Sequence, residues 1–332
     1  MKKAVTRRDV AKMAGVSEAT VSYVMNRTKK LSPEVEKRIW NAIETLDYHP
    51  NLLARSLATK KTMHIAMLVD NIQNPHFSRI MTGVQEIAEC KGYIVSLLST
   101  NYSKKETLIE LVSRGVDGII STLDTHSIKD FSNLNIPIVY GTYDRDYYKK
   151  AIFDAIKAFK EFGHHRIAFL SGLPLAQNHP RYCNFIDALN YYDMKVYPEL
   201  FIDGDGSTNE NAGYIATDKL LSSGEPFSAI FALNDLMAMG AMKRLNEEGL
   251  KIPEDISIVG CDGITSSMYI IPALSTINSH AYTLGKNLMY RLLNKMQPQC
   301  NYPLPPTLQA EFIQRNSLGE CPTRLSSNTK TS

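Results

Sequence analysis

Residues 16–26 read VSEATVSYVMN and directly follow Gly15. Ser17 is a preferred helix N-cap residue, and the apolar side chains of Val21 and Val24 then fall on one face of a helix. Gly15 permits the left-handed backbone that a tight turn needs. The stretch is therefore predicted to be a short amphipathic helix, connected by a turn to the segment before it.

Helices are also predicted on both sides of this stretch. Thr6 and Asp9 have the spacing of a capping box at the start of the first helix. Ser32, Pro33 and Glu34 combine an N-cap, a proline in the first turn and an acid at the positive end of the helix dipole. Two short helices joined by a glycine-containing turn form a helix-turn-helix unit. The side chains expected in one shared core are Val10, Ala11, Ala14, Val16, Val21, Val24, Met25, Val35, Ile39, Ala42, Ile43 and Leu46.

A helix-turn-helix unit reads DNA by placing its second helix in the major groove. Glu18, Ala19 and Tyr23 lie on the face that the core does not use. Glu18 could accept a hydrogen bond from cytosine N4 and Ala19 could contact a thymine methyl group. Alternatively, Glu18 only stabilises the helix N-terminus. Polar side chains that would position the helix on phosphates complete the predicted set: Thr6, Ser17, Thr20, Ser22 and Asn26.

The charge distribution agrees with a nucleic-acid partner. Residues 1–60 hold twelve Lys and Arg against six Asp and Glu, whereas the remainder holds 25 against 28. A basic head on a mildly acidic body suggests that the head binds a polyanion. Chance variation in the charge of a short segment is the alternative.

Composition excludes several other classes of protein. A hydrophobic content of 44% and a charged content of 21% are typical of a soluble globular protein. No apolar run approaches the roughly 20 residues of a membrane span, and the basic N-terminus meets an acidic residue before any apolar stretch, unlike a secretory signal. The five cysteines stand far apart, so neither zinc nor a disulfide framework is expected. We expect a cytoplasmic protein without a metal or cofactor.

From Met63 onward, short apolar runs alternate with helix-length segments. This pattern predicts an α/β body of parallel sheets with helices on both faces. The sequence contains no GxSxG, HExxH, P-loop or GxGxxG motif, so an enzyme is not expected. His164 and His165 precede a predicted strand, and we expect them to cap a helix C-terminus rather than to act as an acid and base. The predicted strands are HIAMLVD, YIVSLL, DGIIST, IPIVY, RIAFLS, SAIFAL and ISIVG.

Several segments together resemble the lac repressor (LacI/GalR) family. The head and hinge are represented by TRRDVAKMAGVSEATVSYVMN, LDYHPN and LLARSLAT, and the body by GHHRIAFLSG, FALNDLMAMGAM, IPEDISIVGCDG and IPALSTI. The resemblance implies a three-helix head and a periplasmic-binding-protein-like core of two Rossmann-like subdomains. It also implies a homodimer on a palindromic DNA operator. A sugar-binding transport component or an enzyme on a related fold are the less favoured alternatives.

The resemblance also divides the chain into segments. The head covers residues 1–49, the hinge 50–61, the core 62–315, and a tail expected to be disordered 316–332. Within the core, the N-subdomain is expected at about 62–145 and 277–303. The C-subdomain is expected at about 146–276, with a return near 304–315.

The hinge segment is expected to fold only on DNA. Asn51 could cap a helix of about two turns, which is shorter than the roughly 12–15 residues that an isolated helix needs in water. The resemblance implies that Leu57 wedges between base pairs in the minor groove, where such wedges kink DNA, and that Arg55 lies near the backbone. A plain linker is the alternative.

The resemblance places an effector in the cleft between the subdomains. It implies that Arg181, Asn234 and Asp262 contact the ligand, and this mixture of donors and acceptors suits a sugar. Alternatively, Arg181 and Asp262 pair with each other, and Asn234 caps the helix that follows it. The first cleft loop supplies three further residues, of which Phe77 could equally belong to the core: Asn74, His76 and Phe77.

The chain departs from the family pattern in this region. Tyr147 and Tyr148 stand where the family has a polar pair, after a shortened connection around Gly141–Lys150. Leu175 and Gly206 replace the charged and aromatic residues of purine-binding members, which argues against a nucleobase. Control by a protein partner of the phosphocarrier type, or no effector at all, are the alternatives to a sugar.

Overall fold

The computed structural model describes residues 5–26, 29–49, 56, 61–69, 71–99, 109, 112–122, 135–141, 145–172, 179–306 and 309–322. The chain divides into two compact units, Met1–Thr62 and Met63–Ser332. None of the helices in these described ranges is long and apolar enough to cross a membrane.

The first unit contains the predicted helices, and the predicted caps at Thr6 and Ser17 are confirmed, whereas Ser32 stands at the N-cap position of the third helix without a side-chain hydrogen bond to its backbone. The Asp9 carboxylate accepts from the backbone N–H of Thr6 at 2.9 Å and from its hydroxyl at 2.6 Å. Ser17 Oγ accepts from the N–H of Thr20 at 3.1 Å, and Gly15 adopts a φ of +66° at the turn. The helices are α1 (Arg7–Ala14), α2 (Glu18–Asn26) and α3 (Pro33–Thr45).

One small apolar core holds these three helices together. Val10, Val21 and Ile39 are completely buried, one from each helix. Burying a side chain of this size contributes about 1.5–3 kcal/mol, so these contacts fix α2 against its neighbours. Tyr48, which the apolar pattern did not identify, closes the base of the same core. The exposed face of α2 is therefore presented on a rigid support.

The second unit contains two sheets. The first has the order β2-β1-β3-β4, and all of its strand pairs are parallel. The second has the order β10-β9-β8-β7-β5-β6 and is parallel except for the β9–β10 pair. The strands are β1 (His64–Val69), β2 (Ile94–Ser99), β3 (Gly118–Ser121), β4 (Ile138–Tyr140), β5 (Ile167–Ser171), β6 (Phe201–Asp203), β7 (Ala229–Ala232), β8 (Ser257–Asp262), β9 (Ser275–Asn278) and β10 (Glu311–Ile313).

Helices connect the strands in the order that parallel pairing requires. They are α4 (Pro75–Cys90), α5 (Arg145–Glu161), α6 (Pro180–Tyr191), α7 (Glu210–Ser222), α8 (Asp235–Glu247) and α9 (Ala281–Met296). Short 3₁₀ helices cover Pro198–Leu200, Thr265–Met268 and Pro298–Cys300.

The chain passes between the two sheets where β9 leads into α9. Strand β9 belongs to the second sheet, but α9 packs on α4 beside the first. The two helices approach at glycines: a Cβ on Gly83 would lie 2.0 Å from the Tyr282 carbonyl oxygen, and one on Gly285 would lie 2.0 Å from that of Ile80. Any larger residue at either glycine would push the helices apart.

Three strands were not predicted. Strands β6, β9 and β10 contain only three or four residues, among them polar ones, so they lack the apolar run that marked the equally short β3, β4 and β7. Strand β10 pairs antiparallel with β9, so the second sheet, predicted as parallel, carries one antiparallel strand at its edge.

The expected disorder from residue 316 onward is wrong for residues 316–322. Ser317 and Leu318 are buried. Ser317 Oγ donates to the Ile258 carbonyl at 2.6 Å and accepts from the Ser275 N–H at 2.8 Å. The segment is ordered because its polar groups complete hydrogen bonds of the second sheet. Residues 323–332 lie outside the described residues.

His164 has two separate roles. Its backbone N–H donates to the Phe159 carbonyl at 2.9 Å, which closes α5 around Gly163 at a φ of +81°. Its buried ring is not a cap, because Nδ1 lies 2.9 Å from Ser228 Oγ and Nε2 lies 3.0 Å from the Gly319 carbonyl oxygen. Burial lowers the pKa of His164. The neutral ring thus anchors the C-terminal segment to the second sheet.

Candidate functional site

Helix α2 separates its two faces cleanly. Val21 and Val24 are buried in the core of the first unit, whereas Glu18 and Ala19 are exposed and Tyr23 keeps 41% of its surface accessible. A folded head therefore leaves free the side chains predicted to contact base edges.

The predicted phosphate contacts surround this exposed face. Thr6 and Ser17 are exposed, and Thr20 and Ser22 are half-buried. Lys29, which the sequence analysis did not single out, places its Nζ 5.8 Å from the centre of the Tyr23 ring. Asn26 ends α2, but its side chain lies outside the described residues, as do Asn51, Arg55 and Leu57.

In the second unit, Asp262 links parts of the chain that are far apart in sequence. It ends β8, is 4% exposed, and has a φ of +128°, a backbone conformation that a non-glycine residue rarely adopts. Its Oδ1 accepts from Arg181 Nη2 at 2.7 Å and its Oδ2 accepts from Asn74 Nδ2 at 3.2 Å. Asp262 therefore connects α6 and the start of α4.

Arg181 is surrounded by protein groups. It also donates to the Leu233 carbonyl at 2.6 Å and to the Tyr148 hydroxyl at 2.8 Å. Its guanidinium carbon lies 4.6 Å from the centre of the Tyr148 ring, a cation–π contact. The structure thus shows the alternative arrangement, in which Arg181 and Asp262 pair with each other. A ligand contact by either residue stays a prediction.

Asn234 adopts its alternative role as well. Its Oδ1 accepts from the Met237 N–H at 2.8 Å, which caps α8, and its Nδ2 donates to the Thr208 carbonyl at 2.8 Å. Because both ends of the amide are engaged in this way, a ligand would have to compete with the cap.

The first cleft loop contributes two buried polar residues, Asn74 and His76, and one apolar residue, Phe77. His76 is 3% exposed, with Nδ1 3.2 Å from Ser279 Oγ and 3.8 Å from Asp262 Oδ1. Burial lowers the pKa of His76, although Asp262 opposes this shift. Phe77 is half-buried against the core of the first sheet, which agrees with the alternative of a core residue.

Asp235 was missed by the sequence analysis. This fully buried carboxylate accepts from the Ile264 N–H at 2.9 Å and from the hydroxyl of Thr276. It therefore holds the loop that follows Asp262. Burial, followed by repulsion from the negative charge of Asp262, raises the pKa of Asp235 to about 7.

A cavity of about 360 Å³ opens beside Asp262. It lies between the first turns of α4, the loop after β8 and the connection from β9 to α9. Two predicted residues, His76 and Asp262, line it. The polar lining residues that were not predicted are Ser78, Arg79, Thr82, Thr265, Asn278, His280 and Thr283. Its volume and mixture of donors and acceptors suit a small polar ligand.

Over the described ranges, no three His, Cys, Asp or Glu side chains are grouped so that they could hold a metal ion.

Comparison with known proteins identifies the family. Residues 6–51 match "Bacterial regulatory proteins, lacI family", and residues 156–318 match "Periplasmic binding protein-like domain". The HTH-type transcriptional repressor PurR of Pasteurella multocida (strain Pm70) is 32% identical over 330 residues, which cover 94% of this chain and 98% of that protein. The chain belongs to the lacI family of bacterial regulatory proteins.

Two solved structures of regulators are also similar to this lacI-family chain. The lac repressor dimer bound to operator and the anti-inducer ONPF has a TM-score of 0.82 and 27% identity, covering 96% of this chain and 100% of that one. A lacI-family regulator from Enterococcus faecium with bound ribose has a TM-score of 0.66 and 28% identity, covering 77% of this chain and 98% of that one.

These matches confirm the predicted fold class and the predicted kind of function. The chain is a DNA-binding transcription regulator with an effector-binding domain, and its relatives are repressors rather than enzymes. LacI-family repressors act as dimers on operator DNA and respond to small effectors. The individual DNA and effector contacts stay predictions.

Proposed function

We propose that this regulator is a cytoplasmic repressor of carbohydrate-use genes, controlled by a small polyhydroxylated effector that binds in the cavity beside Asp262. It acts as a homodimer on a palindromic operator. The observation that carries the proposal is the position of Asp262, a buried carboxylate that faces the cavity and bonds both Asn74 and Arg181.

The geometry suggests how a ligand would be sensed. Asn74 caps α4 beside the first sheet, whereas Asp262 ends a strand of the second. Their bond, at 3.2 Å, is longer than the 2.7 Å bond from Arg181. A ligand hydroxyl that donates to Asp262 would compete first with Asn74. Ligand binding would thereby change how the two sheets are joined.

Such a change can control DNA binding only through differential affinity. A ligand shifts an equilibrium between two arrangements by the ratio of its affinities for them, and by no more. We infer that one arrangement spaces the two recognition helices of the dimer to match operator half-sites. The hinge residues Asn51, Arg55 and Leu57 would then fold on the operator, with Leu57 as the minor-groove wedge.

A sugar suits the cavity better than a nucleobase. Asp262 and the hydroxyl groups of the lining supply hydrogen-bond partners for several ligand hydroxyls. Gly206, in the loop after β6, is exposed and does not line this cavity, and a Cβ built there would meet no atom within 4 Å, so that position also offers no ring on which a base could stack. The ribose bound to the Enterococcus faecium regulator is consistent with a sugar here too.

A thermal-shift screen of the full chain against neutral sugars, sugar phosphates and sugar acids tests the proposal. A true ligand raises the melting temperature by mass action. At a ligand concentration a hundredfold above Kd, the free energy of unfolding increases by about 2.7 kcal/mol. Asp262→Asn should abolish the shift, and Asp218→Asn, on an exposed face of α7, should retain it. If no sugar, sugar phosphate or sugar acid stabilises the wild-type protein, or if Asp262→Asn responds normally, the proposed effector site is wrong.

A further inference from the structure

The cavity beside Asp262 contains a cation that the resemblance to the family did not identify. Arg79 lies on the first turns of α4, exposed, and its Nη1 donates to Thr265 Oγ1 at 3.3 Å across the cavity. Within the described part of the chain, no carboxylate lies within ion-pair distance of this guanidinium. Arg79 therefore presents a positive charge to the cavity.

The negative charge nearest to the cavity is already balanced. Asp262 is paired with Arg181 at 2.7 Å and accepts a further hydrogen bond from Asn74. Glu311, 3.9 Å from Nε2 of His280, is not among the residues that line the cavity. The charge that an incoming ligand meets is thus dominated by Arg79.

The hydroxyl groups of α4 have the opposite hydrogen-bonding character. Ser78 Oγ donates to the Pro75 carbonyl at 2.9 Å, and Thr82 Oγ1 donates to the Ser78 carbonyl at 3.0 Å. With their hydrogens used, these hydroxyls offer lone pairs to the cavity. One wall of the cavity thus supplies acceptors for ligand hydroxyls, and Arg79 supplies donors for an oxyanion.

We infer that Arg79 binds an oxyanion carried by the effector, so that the effector class is a phosphorylated sugar or a sugar acid rather than a neutral sugar. The inference rests on the proposed function, because it concerns the same cavity. A guanidinium suits both groups, since its planar N–H groups can donate in pairs to carboxylate or phosphate oxygens.

Isothermal titration calorimetry of the full chain with inorganic phosphate tests the inference directly. We expect the wild-type protein to bind phosphate, Arg79→Gln to weaken binding at least tenfold, and Arg79→Lys to recover part of the loss. Arg291→Gln is the matched control, because Arg291 is a cation of α9 outside the cavity lining, and it should bind like the wild type. Equal phosphate binding by Arg79→Gln, or a wild-type protein that binds neither phosphate nor either organic anion below, would overturn the inference.

Matched organic probes then distinguish the two sources of the oxyanion. Glucose 6-phosphate and gluconate are compared with glucose in the wild-type and Arg79→Gln proteins. Dependence on Arg79 for either anion supports the inference and selects its source. If a neutral sugar binds both proteins equally and neither anion binds more tightly, the Arg79 inference fails while the proposed sugar effector stands. If phosphate binding depends on Arg79 but the Asp262→Asn protein binds every ligand like the wild type, the proposed role of Asp262 in effector binding is wrong.

Discussion

Tyr147 donates its phenolic hydrogen to the backbone carbonyl of Ser279 at 2.6 Å. The bond joins the first turns of α5 to the connection from β9 to α9. Helix α5 leads the chain into the second sheet, and the β9–α9 connection leads it back toward the first. Ser279 is also in contact with His76 and with the Asp262 carbonyl. One tyrosine thus ties together two passages of the chain between the sheets, next to the candidate site.

Tyr147→Phe should lower the free energy of unfolding by about 0.5–1.5 kcal/mol, the usual value of one hydrogen bond. Burial raises the pKa of Tyr147 to about 12, so the hydroxyl remains a donor at any ordinary pH and the effect should not depend on pH. Urea unfolding measures it, with Tyr191→Phe, at a residue 69% exposed, as the control. An unchanged midpoint for Tyr147→Phe would show that the bond contributes nothing to stability.

Asp262→Ala should be strongly destabilising, because it leaves the buried guanidinium of Arg181 without its carboxylate partner. Breaking a buried ion pair from one side costs about 3–5 kcal/mol. Replacing both partners, as Arg181→Met with Asp262→Ala, should recover a large part of that loss. A double-mutant cycle by chemical denaturation gives the coupling energy. Additive effects would mean that the 2.7 Å contact is energetically unimportant.

His164 should make the protein less stable in acid. Its folded pKa is lowered by burial, whereas an unfolded histidine titrates near about 6.5. As the pH falls below about 6.5, the unfolded chain binds a proton that the folded site does not, so the free energy of unfolding decreases until the pH passes the folded pKa.

The comparison of His164→Gln with wild type isolates this contribution. His76 shifts in the same direction, and Asp235, whose pKa is raised to about 7, shifts in the opposite one; both remain in the variant. Urea unfolding at about pH 7.5 and about pH 5.5 should show a smaller loss of stability for His164→Gln. An equal loss in both proteins would contradict a neutral buried ring.

Ile271→Asp should convert the dimer to a monomer. Ile271 is 96% exposed and borders a cavity of about 450 Å³ with a partly apolar lining, including Met239 and Met242. An apolar side chain of such exposure fits a surface that another molecule covers. Sedimentation analysis measures the association, and Ile94→Asp, at another exposed position, provides a comparison. A variant that remains fully dimeric would place the subunit contact elsewhere.

Tyr23→Ala and Lys29→Gln should weaken DNA binding in different ways. Loss of a base contact at Tyr23 should cost about 1–3 kcal/mol on the operator and little on random DNA, whereas loss of a phosphate contact at Lys29 should weaken both and reduce the salt dependence. Binding to an operator selected from random duplexes, titrated with salt, distinguishes them. The control is Met13→Ala, at an exposed residue of α1. A nearly flat salt response of the wild-type head would contradict electrostatic binding.

The parts of the fold that could be predicted are those that local chemistry specifies. The caps at Thr6 and Ser17 and the turn at Gly15 depend on residues three or four positions apart, and they were found correctly. Both alternatives for Arg181 and Asp262 were also foreseen, because opposite charges at strand and helix ends can meet either a ligand or each other. Local sequence could not choose between these two outcomes.

The cavity could not be predicted, because it is formed by distant segments. Arg79 and Thr265 are 186 positions apart and meet only when α4 packs beside the loop after β8. The burial that raises the pKa of Asp235 likewise arises from tertiary packing. Strands β6, β9 and β10 were missed for a related reason, since they include polar residues, lack an apolar run of their own and are stabilised by their neighbours in the sheet.

The glycine contact between α4 and α9 has a mechanical consequence. Gly83 and Gly285 let the two backbones touch, so a slide of one helix along the other would drive backbone into backbone, and both helices begin at the cavity. Two of its walls are therefore one stiff body. Adjustment of the cavity to a bound molecule must then come from its third wall, the loop after Asp262. Because Asp262 ends β8, a movement of this loop is passed on to the second sheet.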